Sequence, residues 1–197
     1  MSAAADFILA SASPRRRDLL ALIGLAPDKV VAADLDESPL AKEPPASLAL
    51  RLAIDKARAV AKDHAAIVLA ADTVVAMGRR VLDKAHDEAE VRDCLERLSG
   101  RAHRVYTGVA VVAPDGRLSS RLVETRIHFK RLSRNDITTY LASGEGVGKA
   151  GGYAIQGLAG AFVTHLVGSY TGVMGLPLYE TRCLLEGAGL SVAAGTR

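Results

Sequence analysis

A chain of 197 residues, 49% hydrophobic and 24% charged, carries enough apolar side chain to bury a core as one large domain or two small lobes, which excludes a disordered polar tract. Aromatic residues make up 4% and tryptophan is absent, so the core must be built from Ala, Val, Leu and Ile, as suits a layered α/β protein. The net charge of +3 comes from bases interspersed with acids and without aromatic interleaving, which argues against a nucleic-acid surface; two cysteines, Cys94 and Cys183, are too few for a disulfide framework or a zinc ribbon.

Residues 6–10, DFILA, read as a short buried strand, and Ser13-Pro14 follows as an N-cap serine with proline in the first helical turn. Leu19, Leu20 and Ile23 form the apolar face of that helix and Gly24 ends it. Residues 34–46 are acidic and proline-rich, an exposed loop before a helix from about Ser47 to Lys62. The run AIVLAADTVVA, 66–76, is apolar on both faces except at Asp72 and Thr73, as expected of a central strand. A polar turn at Gly78 to Arg80 precedes a helix from about Asp87 to Leu98 closed by Gly100.

Residues 103–113 and 117–129 alternate around Pro114-Asp115-Gly116 and predict a β-hairpin. Ser133 and Asp136 form a capping box for a helix through Leu141 that Gly144 stops. Seven glycines in the seventeen residues 144–160 mark a loop built for close backbone approach. A strand near Ala161 to Val167, a helix from about Pro177 to Gly187 and a weak tail complete the chain. No basic segment leads into a long apolar run and no stretch of 18 apolar residues occurs, so a cytoplasmic protein without a membrane span is expected.

The glycine loop fits neither standard nucleotide motif. A P-loop ending at Lys149 needs glycine where Ser143 stands and serine or threonine where Ala150 stands; a dinucleotide fingerprint from Gly144 needs glycine at Lys149. What remains is a constellation at element ends: Ser11, Ser13 and Arg15 to Arg17, Asp36-Glu37, Lys56, Asp72-Thr73, Lys84, Lys149 and Gln156. Three arginines in a first helical turn oppose the macrodipole, and an anion seated on the free backbone N–H groups would relieve them; the alternative is a solvated helix face. Glu37 and Asp72 are oxygen ligands suited to a divalent cation and to orienting water. An aspartate ordinarily titrates near ~3.9 and is a poor base, so burial or a metal-bound water must assist it.

Asp72 is either a satisfied core carboxylate or functional, since an acid inside a buried strand is costly otherwise. By its own sequence neighbourhood Lys56 reads as a surface charge on a helix. His64, His86, His103, His128 and His165 lack metal-ligand spacing and read as structural, and Cys94 as a core residue.

In order along the chain, LASASPRRRDLL (9–20), RLAIDKA (51–57), LAADTVV (69–75), the Lys84 region, RLSGRAHRVYTGVA (97–110), GKAGGYAIQG (148–157) and GSYTGVMGLPLYET (168–181) resemble the Maf family of nucleotide pyrophosphatases. The resemblance implies one domain over 1–197: an elongated mixed β-sheet with flanking helices, similar to the ITPase fold, and two lobes around a central cleft. It implies a homodimer that hydrolyses nucleoside triphosphates to monophosphate and pyrophosphate with a divalent metal, Mg, Mn or Co. Position by position it implies that Asp72 is the base, with Lys84 and Glu37 catalytic, and that Glu37 and Asp72 hold the metal. Ser11, Arg15, Arg16, Lys56, Thr73 and Gln156 then contact substrate, Arg17 faces solvent, and Lys56 is promoted from the surface.

Arg15, Thr73 and Gln156 resemble the branch acting on dTTP and UTP. Ala85 departs from the family's usual proline, and Gly152 and Ala154 invert the usual residues flanking Tyr153. A non-catalytic nucleotide-binding regulator of cell division is the alternative function.

Overall fold

The computed structural model describes residues 5–190. A seven-stranded mixed sheet runs in the order β2 (Lys29–Val30), β1 (Phe7–Leu9), β3 (Ile67–Met77), β5 (Ala102–Val112), β6 (Leu118–Phe129), β7 (Val163–Val167), with β4 (Arg80–Leu82) also paired to β3. β1 is parallel to β2 and β3, and every other pairing is antiparallel. The helices are α1 (Pro14–Leu22), α2 (Pro45–Ala61), α3 (Glu88–Leu98), α4 (Arg134–Ser143), α5 (Tyr170–Met174) and α6 (Leu178–Gly187). Strands β3, β5 and β6 of 11, 11 and 12 residues reach about 36 to 40 Å at ~3.3 Å per residue, which makes the molecule elongated.

Two lobes share these long strands. On one face Leu19 and Leu20 of α1 and Leu184 and Leu185 of α6 cover Ile67, Leu69 and Ala71, while Val75, Val105 and Ile127 belong to a second core with α3, α4 and Phe129. On the other face α2 lays Ala53 and Ala57 on Val68 and Ala70, and Leu48 and Leu52 on Val74. Thr73 interrupts the apolar run of the first face and Asp72 that of the second. Both faces of the core therefore break at the same two residues.

Several local expectations hold for the reasons given. Ser133 and Asp136 form the capping box, Asp87 accepts from the Glu90 N–H as N-cap of α3, and the hairpin closes at residues 114–116. Other expectations are corrected. Ser13 is the N-cap residue of α1, but its hydroxyl caps nothing. α2 starts at Pro45 behind Pro44 rather than at Ser47, because a proline in the first turn needs no N–H partner. The turn expected at Gly78 to Arg80 is tighter, and Arg80 already lies in β4. Residues 158–162 are a 3-10 turn, so the last strand begins at Val163. β2 and α5, of two and five residues, are too short for periodicity to show. The tail from residue 191 lies outside the described residues.

The glycine loop also differs from expectation. What approaches its backbone is the protein itself: a Cβ on Gly151 would stand 2.8 Å from Val75 Cγ1, and one on Gly152 2.9 Å from Cys94 Cβ. The loop extends β4 through a bridge between Lys84 and Ala150, and the Ala85 N–H donates to Lys149 O at 3.1 Å. A proline at 85 lacks that donor, so alanine replaces a stiff ring by a hydrogen bond between the two segments.

Candidate active site

β1 pairs with β3 only at Ile67 to Leu69, extended towards the gap by a bond from the Ala10 N–H to Leu69 O, and β4 pairs with it only from Val75. Between them this edge of β3 has no neighbouring strand, and a cleft of about 400 Å³ opens there. The N-terminal turn of α1, the Glu37 segment, α2, the glycine loop and the α5–α6 connection close around it. Alternation sends Asp72 to the α2 side and Thr73 to the α5 side of the sheet, yet both line the cleft because it wraps the sheet edge.

Lys56 stands at the centre of the charge network. Its ammonium donates to Asp72 Oδ1 at 2.6 Å and lies 2.7 Å from Glu37 Oε1; Lys56 and Asp72 are each 8% exposed. Leu48, Leu52, Lys56 and Val60 recur every four residues on the buried face of α2, so the lysine occupies a core position. That periodicity was the available signal, and it overrides the surface reading of Lys56. α2 lies close because its sheet-facing residues are small and because Gly108, directly opposite Asp72, has no side chain; a Cβ there would stand 2.3 Å from Ala49 O.

Glu37 is more exposed and its second oxygen lies 3.6 Å from Lys84 Nζ. Burial alone would raise the Glu37 carboxyl, but the Lys56 hydrogen bond and charge, then Lys84, hold it below its ordinary value. Asp36 stays outside the cleft, exposed and bonded to the Ser38 N–H.

Across the cleft, Arg16 is fixed rather than free. Its Nε donates to Gly175 O at 2.9 Å and its Nη1 to Ser11 Oγ at 2.8 Å; burial pushes its guanidinium down while Asp72 pulls it up. Ser11 Oγ accepts from Arg16 and from the Ser13 N–H, so its own proton is left for an acceptor. Arg15 and Lys149 have no carboxylate partner among the described residues. Burial lowers both, and Arg15 further lowers Lys149. Arg17 is exposed, outside the cleft, and Gln156 lies on the cleft rim. The cleft thus gathers every residue assigned to it from Ser11 to Gln156.

No group of three or more His, Cys, Asp or Glu side chains among the described residues could hold a metal alone, and no helix among them is long and apolar enough to cross a membrane. Of the histidines, His103 is buried, with Nε2 2.8 Å from the Tyr153 hydroxyl.

The molecule is thus an α/β protein with a sheet-edge cleft that holds a buried carboxylate–lysine pair and cations without carboxylate partners. The chain matches the Maf-like protein family over residues 6–188 and belongs to that family. It is 60% identical over 190 residues to the dTTP/UTP pyrophosphatase of Caulobacter vibrioides, covering 96% of this chain and 98% of that protein. It is 54% identical over 199 residues to the dTTP/UTP pyrophosphatase of Mesorhizobium japonicum, covering 98% of this chain and 96% of that protein. Among solved structures, a HAM1 protein from Coxiella burnetii aligns with 66% of this chain and 75% of its own at 17% identity and a TM-score of 0.46.

Proposed function

We infer that the chain is a nucleoside triphosphate pyrophosphatase, converting dTTP and UTP to the monophosphate and pyrophosphate. The observation that carries this is Asp72, buried in the sheet-edge gap with Lys56 at 2.6 Å and facing a cleft whose Arg15 and Lys149 have no carboxylate partner. A cation cluster without counter-charge is a seat for polyphosphate, and the aspartate beside it is a base for water.

In the proposed reaction a water oriented by Asp72 attacks the α-phosphorus. The bond from that phosphorus to the bridging oxygen breaks, pyrophosphate leaves with the electron pair, and the water's proton passes to Asp72. Lys56 fixes Asp72 and Glu37 by binding one oxygen of each. Arg15, Lys84 and Lys149 offset charge on the departing pyrophosphate, the Ser11 proton reaches a phosphate oxygen, and Arg16 adds a guanidinium fixed by Ser11 and Gly175. Thr73 and Gln156 face the nucleoside.

Glu37 and Asp72 suit a divalent cation such as Mg, Mn or Co: Asp72 Oδ2 has no hydrogen-bond partner among the described residues, and Glu37 Oε2 has only the long contact to Lys84. Two carboxylates completed by phosphate and water oxygens are a normal set for such an ion, which when bound would neutralise phosphate charge and acidify water.

The test is pyrophosphate release from dTTP, UTP and GTP with each metal. Asp72→Asn, which keeps the shape, should lose about 10³-fold in kcat with the melting temperature and nucleotide binding retained. Undiminished release by that variant sinks the assignment. Native protein that binds nucleotide without turnover would instead be a regulator.

A further inference from the structure

Thr73 and Thr107 face each other across β3 and β5, with their hydroxyl oxygens 3.2 Å apart. Thr107 is 1% exposed, and its hydroxyl donates to Gly172 O at 2.8 Å, where α5 lies against the sheet. A hydroxyl has one proton. Since Thr107 spends its proton on a carbonyl, which can only accept, the contact between the two threonines is a hydrogen bond only when Thr73 is the donor. Thr73 therefore points its proton into the protein and shows the cleft lone pairs alone. Ser11, which accepts twice, has the opposite polarity and offers a proton.

We propose that Thr107 is a specificity-positioning residue: by accepting the Thr73 proton and passing its own to Gly172 O, it makes Thr73 Oγ1 an acceptor-only group in the cleft wall, which selects the N3–H of uracil or thymine over the N3 lone pair of cytosine. This rests on the reading of the cleft as a nucleotide site with its base against Thr73. An acceptor facing N3–H gains a hydrogen bond, whereas the same acceptor facing the cytosine N3 sets two lone pairs against each other. Sugar and phosphates are common to UTP and CTP, so the pair isolates the ring edge.

The experiment measures kcat/KM for UTP and CTP, and in parallel the calorimetric affinities of their α,β-methylene analogues, for the native protein and three variants. Thr107→Val removes the acceptor and frees the Thr73 proton to turn into the cleft. The UTP-over-CTP preference should fall by about tenfold, the worth of one hydrogen bond of about 1.4 kcal/mol. Thr107→Ser restores the relay and should retain the preference. Thr73→Val, at the cleft surface, removes the lone pairs without touching the buried hydroxyl and should also lose the preference, which covers a Thr107→Val chain that does not fold.

A purely structural role for Thr107 lowers activity on both nucleotides equally and leaves their ratio unchanged. That result, or a Thr73→Val protein that still prefers UTP, overturns the proposal, as does native protein that binds both analogues equally. Preferential binding of the uracil analogue without turnover refutes the catalytic reading while leaving the polarity of Thr73 standing.

Discussion

Gly108→Ala is the sharpest test of how the fold builds the site, because the residue touches no ligand and lies under α2. Its added methyl would stand 2.3 Å from Ala49 O and 2.8 Å from Ala49 C and Leu50 Cα, all backbone atoms of a helix that cannot step aside singly. Ordinary contact begins near 3.4 Å, so α2 must retreat by about 1 Å. The Lys56–Asp72 bond of 2.6 Å would then open to about 3.6 Å, beyond hydrogen-bond range. Overpacking of this kind costs about 3 kcal/mol, and a 1 Å displacement of a positioning group costs up to about 10²-fold in kcat. Denaturant unfolding and pyrophosphate release from UTP, the latter well below the melting temperature, measure the two effects separately. A variant with native stability, or one destabilised yet with native kcat, would refute the link between helix approach and site geometry.

Arg15→Ala with Lys149→Ala removes two cations that repel each other in the free protein and serve substrate in the complex. Stability should hold or rise slightly, while KM for the triphosphate rises and its salt dependence weakens; an unchanged KM across a salt series would deny them a phosphate role. Acid stability should depend on His103, whose imidazole is pushed down from 6.5 to about 4 by burial and, secondarily, by His128. The folded state then keeps His103 neutral while the unfolded chain takes up a proton below 6.5. This contribution is whole above pH 6.5 and is lost as pH falls towards 4, by roughly 3 kcal/mol in all. Comparison with His103→Phe across pH 7.5 to 4 isolates it, and parallel stability curves for the two proteins would contradict the assignment.

Much of the scaffold is written locally. Caps at Asp87 and Ser133, the glycines ending helices and the apolar run of β3 act within a few residues, so the sequence alone determines where most elements lie. Asp72 stood out for the same reason: a carboxylate inside a two-sided apolar run demands a partner wherever it folds. The arginines of α1 stood out locally too, because cations in a first helical turn oppose the macrodipole, but the sequence left them open between an anion seat and a solvated face.

What no local pattern contained was the partnership. Lys56 is 16 residues from Asp72, and only the approach of α2 over Gly108 makes them a pair. β2, β4 and α5 exist because neighbours complete them, not because of their own periodicity. The gap in the edge of β3 follows from where β1 stops and β4 starts, and it turns two residues on opposite sheet faces into walls of one cleft. Sequence determines which groups are expensive to bury, because that cost belongs to each side chain. Tertiary structure decides which groups meet, because meeting depends on backbone distances that chains far apart in sequence set for one another.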